Sequence, residues 1–447
     1  MRYKSLAELI QHTEQYNPCQ PEYVQAVSEI MESLWPFIAA NPHYAEQGLL
    51  DRLLEAERII QFRVSWMDDN GDVHVNRGFR VQHSASIGPY KGGIRFHPSV
   101  NLSVLKFLAL EQTLKNALTT MPMGGGKGGS DFNPRGRSNS EIMRFCQSFM
   151  TELYRHVGAH TDVPAGDIGV GNREIGYMVG MMKKLSNRTD CVFTGKDVNI
   201  GGSLIRPEAT GYGLVYFTDC VLKNASRTME GMRVGVSGAG NVAQYAIEKA
   251  MALGAKVITI SDSGGTVIDE QGFTPEKLAV LKRIKNVEYG RASDYATHFN
   301  LPYEAGTRPW HVPMDIALPC ATQNELNIDD ARALIKNNVV CVAEGANMPC
   351  TAAAVKLFEQ NRVLYAPGKA ANAGGVATSG LEMSQNAMRL SWTTAEVDNR
   401  LQETMQNIHA LCLKYGRKDD GSISYADGAN IAGFVRVADA MLAQGVV

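Results

Sequence analysis

The chain has 447 residues, with 44 basic against 46 acidic side chains for a net charge of −2, and is 44% hydrophobic and 20% charged. That composition excludes disorder, no apolar run approaches the ~18 residues of a membrane helix, and the near-neutral balance leaves no electrostatic footprint for nucleic acid or a membrane surface. The length predicts two to three domains, with small molecules and further copies of the chain as the expected partners.

The 8 cysteines show no Cys-x-x-Cys and no cysteine–histidine zinc spacing, so they read as reduced thiols with no metal. The first ten residues lack the apolar core of a signal peptide, which predicts a cytoplasmic protein.

Tyr23, Ala26, Val27, Ile30, Met31 and Leu34 recur at helical spacing, and Pro36 follows. From Arg58 the period becomes two: Ile60, Phe62 and Val64, a turn at Asp69-Asn70-Gly71-Asp72, then Val73, Val75, Phe79 and Val81. This predicts an antiparallel hairpin. Gly88-Pro89-Tyr90-Lys91-Gly92-Gly93-Ile94-Arg95 reads as a glycine-rich loop carrying two cations, either solvated or built for an anion. A helix is predicted from about Ser99 or Asn101 to Thr119. Its projection puts Ser103, Lys106, Thr113 and Asn116 on one side, and Gln112 and Lys115 on the apolar side among Leu105, Leu108 and Leu118. A lysine there needs water or an anion at its tip.

Met121-Pro122-Met123-Gly124-Gly125-Gly126-Lys127-Gly128-Gly129-Ser130-Asp131 sets a lysine among five glycines. It is not a phosphate-binding P-loop, because Gly128 stands where that loop needs a hydroxyl. The remaining readings are a surface loop and a reactive lysine to which the backbone lets ligands approach. If Lys91, Lys115 and Lys127 converge, their mutual repulsion and burial would lower the pKa of one of them toward neutrality. After a helix over 140–158, Thr161-Asp162-Val163-Pro164-Ala165-Gly166-Asp167 offers two aspartates, as turn formers or as proton carriers.

Gly-Pro-Tyr-Lys91-Gly-Gly-Ile-Arg-Phe-His-Pro, Glu111-Gln112-Thr-Leu-Lys115-Asn, Pro-Met-Gly-Gly-Gly-Lys127-Gly-Gly and Pro-Ala-Gly-Asp167-Ile-Gly, in this order, resemble the bacterial-type hexameric glutamate dehydrogenases over nearly the whole chain. The resemblance implies Lys127 as catalytic lysine and Asp167 as proton carrier. It implies Lys91 and Ser379 for a γ-carboxylate, Gln112, Lys115 and the backbone of Gly166 for an α-carboxylate, and Gly92, Ala165 and Val376 as lining of the side-chain pocket. It also implies a homohexamer, and activity on glutamate, 2-oxoglutarate and ammonium in a cleft between two domains.

A boundary is predicted near Gly201; beyond it the resemblance places Arg206 and Thr210 at the cofactor side. A strand over 232–237, the Gly238-Ala239-Gly240-Asn241-Val242-Ala243 turn, a helix and a second strand ending at Asp262 form a dinucleotide fingerprint. Asp262 alone favours NAD, whereas the resemblance favours NADP, with Ser263, Lys285 and Arg135 around a 2′-phosphate; NADP is the expected cofactor. Strands over 315–318 and 339–343 lead to polar loops with Ala321, Thr322 and Asn347, and the glycine-rich loop over 366–379 contributes Asn372 and Ser379, the latter also a candidate helix cap. The expected class is α/β with two domains: 1–200, an α/β substrate and oligomerisation domain to which a C-terminal helix (425–447) returns, and 201–424, a Rossmann-type dinucleotide-binding domain. The alternatives are a leucine- or phenylalanine-type dehydrogenase and a catalytically inactive nucleotide-binding regulator.

Overall fold

A computed structural model describes residues 2–447. They form two compact units: 2–204 with 379–393 and 430–447, and 205–378 with 394–429.

The first unit is built on a five-stranded sheet: β1 (Arg58–Met67), β2 (Val73–Ser84), β3 (Tyr90–Phe96), β4 (Gly125–Ser130) and β5 (Asp162–Gly166), in the order β1-β2-β4-β3-β5. The predicted hairpin is present, with β1 and β2 antiparallel from Arg58↔Gln82 to Met67↔Val73 and Gly71 in the left-handed region of the turn (φ 91°). Strands β4 and β5 both run parallel to β3. On one face Val64, Trp66, Ile94 and Phe96 pack with Phe145, Phe149 and Met178 of helices Asn139–Leu153 and Asn172–Ser186. On the other, Phe79 and Val81 meet Leu105 and Ala109 of helix Leu102–Leu118.

Three glycine-rich stretches predicted as loops, those holding Lys91, Lys127 and Asp162, are strands of this sheet. Glycine reads locally as a turn former, but here it serves close packing. A Cβ on Gly92 would stand 1.7 Å from the carbonyl oxygen of Gly126, and one on Gly125 would stand 1.8 Å from Thr113 Oγ1. Strands and helix therefore approach more closely than any side chain permits. The glycines beside Lys127 make room for protein, not only for ligand.

The first helical stretch is present as Leu6–Tyr16 and Pro21–Ala40, the second running through Pro36. Another expectation is corrected. In helix Leu102–Leu118 the polar side is buried as well as the apolar one: Ser103, Lys106, Thr113 and Asn116 are buried like Leu105 and Leu118, whereas Gln112 and Lys115 are half-buried. Lys106 is accommodated by Asn17 Oδ1 and by the Tyr23 ring, 4.5 Å from its ammonium, an arrangement that local pattern cannot reveal. The C-terminal helix spans Tyr425–Gln444 and crosses helix Leu102–Leu118 at Gly433, where a Cβ would lie 2.7 Å from Leu114 O.

The second unit carries a seven-stranded sheet: β6 (Arg233–Val236), β7 (Lys256–Asp262), β8 (Gly265–Ile268), β9 (Tyr303–Ala305), β10 (Ile316–Leu318), β11 (Cys341–Ala343) and β12 (Leu364–Ala366). The order is β12-β11-β10-β6-β7-β8-β9, with β12 to β7 parallel and the last two pairings antiparallel. The chain leaves β6 on one side and returns on the other at β10, which makes the Rossmann-type switch point between these two strands. Met314, Ala317, Val342, Phe358 and Tyr365 belong to its apolar core. The stretch predicted as a loop over 366–379 is helical, as Gly368–Ala371 and Gly374–Met388. Ser379 lies inside the second of these helices, so it does not cap it.

Candidate functional site

In the first unit the parallel register decides which side chains meet. Ile94 pairs with both Gly128 and Gly166, and Gly93 with Ala165, so Gly93 is level with Lys127 on one side and Ala165 on the other. Residues at one level of a parallel sheet face the same way. Lys91, Gly93 and Arg95 therefore share a face with Lys127, and Asp167, just beyond β5, joins them. Lys127 is buried, and its Nζ lies 3.0 Å from Asp167 Oδ1. To make this pair Asp167 passes over β3 at Gly93, where a Cβ would come within 2.8 Å of the Asp167 Cβ.

The second oxygen of Asp167 accepts a hydrogen bond from Arg95 Nε at 2.6 Å. Burial alone would raise the carboxyl pKa, but Lys127 and Arg95 outweigh it and hold the group at about 2. Lys127 is lowered from the ordinary lysine range chiefly by burial; Asp167 opposes the shift, and Arg95 and Arg80 add to it. The direction agrees with expectation, and the cations that contribute to it include Arg95 and Arg80.

The two aspartates of the 161–167 stretch divide the expected roles. Asp162 is wholly buried and accepts from Arg80 Nε at 2.8 Å and Gln82 Nε2 at 3.0 Å. It neutralises a buried guanidinium, a structural task. Asp167 alone reaches Lys127.

Lys91 is also buried, and its Nζ donates to Thr194 Oγ1 at 2.7 Å. The adjacent Gly195 N–H donates to Glu382 Oε2 at 2.9 Å. Glu382 follows Ser379 by three residues on one helix, which ties Ser379 to the Lys91 region. The same glutamate pairs with Lys196 at 2.6 Å. Asn116 fastens the starts of β3 and β4 by donating to Lys91 O at 3.0 Å and Gly124 O at 2.5 Å, and it accepts from Gln112 Nε2 at 2.6 Å. Gln112 and Lys115 thus extend from a helix bonded directly to these strands. Ala165 is buried and Gly166 half-buried. Arg95, Thr194 and Asn116 were missed as site residues. Arg95 stands in a quoted motif, two positions after Gly93, and strand periodicity would have placed it with Lys91. For Thr194 the sequence holds no signal.

In the second unit Gly238 follows β6 at φ 82°, and a Cβ there would stand 3.0 Å from Cys320 O, beyond β10. Gly240 precedes helix Asn241–Ala252, and nothing lies within 4 Å of where its Cβ would be. A tight turn, an open second glycine and a helix N-terminus form a cradle that fits a dinucleotide pyrophosphate. Asn241 Nδ2 donates to Pro207 O at 2.6 Å, fixing the segment that carries Arg206 and Thr210; Val242 is the next residue of that helix. Thr210 Oγ1 would meet a Cβ on Gly375 at 2.6 Å, the residue before half-buried Val376. Ala321 and Thr322 donate their N–H groups to Glu325 Oε1 at 2.9 and 3.3 Å. Asn372 Nδ2 donates to Asn347 Oδ1 at 2.9 Å.

Both oxygens of Asp262 accept main-chain hydrogen bonds at 2.8 Å, from Gly264 and from Ala292 at the start of helix Ala292–Phe299. Lys285 Nζ lies 3.7 Å from the same carboxylate. Arg291 Nη1 donates to Ser263 Oγ at 3.0 Å. Ser263, Lys285 and Arg291 thus gather at the end of β7, a cationic set that fits a ribose 2′-phosphate. Arg291 is a further residue that the sequence reading missed. Arg135 is exposed on the first unit.

Residues 201–445 match the family model described as Glutamate/Leucine/Phenylalanine/Valine dehydrogenase, and residues 56–184 match Glu/Leu/Phe/Val dehydrogenase, dimerisation domain. The chain is 66% identical to the NADP-specific glutamate dehydrogenase of Salmonella typhi and 65% identical to that of Escherichia coli (strain K12), each over 443 residues and 99% of both chains. Among solved structures, the glutamate dehydrogenase of Plasmodium falciparum matches with a TM-score of 0.97 at 50% identity, covering 99% of this chain and 95% of that one. Two family models spanning most of the chain, and relatives this similar over their full length, place it: the chain belongs to the Glu/Leu/Phe/Val dehydrogenase family.

Proposed function

We propose that the chain is an NADP-dependent glutamate dehydrogenase. It converts L-glutamate, NADP+ and water to 2-oxoglutarate, ammonium, NADPH and a proton, and the reverse. The observation that carries this reading is the buried Lys127–Asp167 pair on the sheet face that also bears Lys91. NADP supplies hydride acceptance and donation when bound. Lys127 polarises the 2-oxo group and activates water, and Asp167 exchanges protons with the reacting nitrogen.

Two carboxylates need two cationic clusters. Lys91 with Ser379 takes the γ-carboxylate, and Gln112, Lys115 and the Gly166 backbone take the α-carboxylate; Gly92, Ala165 and Val376 line the pocket. A leucine- or phenylalanine-type substrate has no distal carboxylate for Lys91 and Ser379 to hold. A catalytically inactive regulator would have no use for the Lys127–Asp167 pair. Gly238, Gly240, Asn241, Val242, Arg206, Thr210, Asp262, Ala321, Thr322, Asn347 and Asn372 serve the cofactor, and Ser263, Lys285 and Arg135 serve its 2′-phosphate. Residues 1–200 with 425–447 act as substrate and oligomerisation domain and 201–424 as cofactor domain, in a cytoplasmic homohexamer. No helix among the described residues is long and apolar enough to cross a membrane.

Initial rates with NADPH and with NADH against 2-oxoglutarate and ammonium, with leucine as competing substrate, test the assignment. Lys127→Ala is expected to remove amination while the protein stays folded. A folded variant that keeps substantial activity overturns the mechanism.

A further inference from the structure

Asp167 is held by two cations at once, one on each oxygen: Lys127 Nζ at 3.0 Å on Oδ1 and Arg95 Nε at 2.6 Å on Oδ2. The two serve different ends. Lys127 has to reach the substrate carbonyl, and a pair made by one flexible ammonium would leave Asp167 as an uncompensated carboxylate in a poorly solvated place once that ammonium turns away. Arg95 has no such second task. It stands on β3 two residues after Gly93, on the same face, with its side chain only 16% exposed against 18% for Asp167. We propose that Arg95 is a positioning residue that grips one oxygen of Asp167, keeping this carboxylate ionised and aimed while Lys127 leaves it to engage the substrate. The inference rests on the reading of Lys127 and Asp167 given above.

Other charged groups lie on the packed elements. Arg80 on β2 is held by Asp162. Lys91 on β3 donates to Thr194. Lys115 is half-buried on helix Leu102–Leu118. Among the described residues, the ion pairs of Asp167 are those with Lys127 and Arg95. Arg95 also works on Lys127 itself: after burial, its charge helps to lower the lysine from its ordinary range. Removing Arg95 should therefore shift the lysine upward, whereas a purely structural role would lower the rate without moving any titration.

The test has a readout that does not depend on turnover. The rate at which Lys127 reacts with a small acylating reagent, read by peptide mass spectrometry across pH, reports its titration. In Arg95→Gln that curve is expected to move up by at least about half a pH unit. At neutral pH kcat/KM for 2-oxoglutarate falls by about tenfold or more, with KM changed less than about threefold. Arg95→Lys, which restores the charge, returns the curve to within about 0.3 unit of wild type. Arg95→Met serves as the neutral variant if Arg95→Gln does not fold. An unmoved curve in the neutral variant, or an Arg95→Lys curve displaced as far as the neutral one, overturns the proposal. A wild-type protein inactive on glutamate would sink the functional reading separately, because the acylation curve reports the charge of Arg95 beside the Lys127–Asp167 pair in either case.

Discussion

Gly93 sits beneath Asp167: a Cβ on the glycine would come within 2.8 Å of the aspartate Cβ and equally close to Gly166 O. The absence of a side chain at one strand position is what lets a carboxylate from β5 reach a lysine on β4 across the strand between them. Gly93→Ala should therefore cost more activity than stability. We expect kcat to fall by about 100-fold or more with a destabilisation of roughly 1–2 kcal/mol, as for overpacking at one methyl. Kinetics beside thermal unfolding checks this; equal losses in both would contradict it.

Thr194 meets Lys91 from 103 residues away. Thr194→Val keeps the shape and removes this acceptor, which weakens the hold on the Lys91 ammonium. The expected result is a KM for 2-oxoglutarate raised about tenfold with kcat within about threefold, the size of one hydrogen bond to a charged group. Steady-state kinetics at fixed NADPH and ammonium decides it.

Arg291 and Ser263 lie at the end of β7, where the nucleotide ribose belongs. Arg291→Ala should raise KM for NADPH by about tenfold or more and leave KM for NADH nearly unchanged, because only the former carries the 2′-phosphate. Parallel titrations of the two cofactors measure the ratio. An equal loss with both would place Arg291 outside phosphate recognition.

His83 gives stability a specific pH dependence. Burial pushes its imidazole down to about 4, against the hydrogen bond to Leu53 O, and Lys106 adds repulsion. Between pH ~6.5 and ~4 the unfolded chain binds a proton that the native state does not. Its contribution is therefore full above ~6.5 and lost as pH falls to ~4, by at most about 3 kcal/mol. Asp167, held at about 2, acts in the same sense only below the ordinary carboxylate range. Chemical denaturation between pH 4 and 7 should show a shallower slope for His83→Gln than for wild type.

Much of this site was legible in the chain. The alternation from Ile60 to Val81 encodes the hairpin, because a half-buried strand must alternate. The Gly238 to Asp262 spacing encodes the dinucleotide turn, because a phosphate at a helix N-terminus requires glycines at fixed offsets. Lys91, Lys127 and Asp167 stood out as charges in stretches that give up side-chain packing. Only the tertiary structure decided what those stretches are. Glycine propensity reads as loop, and the pairing of β3 with β4 and β5 made them strands. It likewise separated Asp162, which neutralises Arg80, from Asp167, which reaches Lys127, and it brought Thr194 to Lys91 and Arg291 to Ser263. These partners lie 103 and 28 residues apart. Local periodicity records how a segment is buried, whereas the identity of its distant neighbour is fixed only when the sheets close.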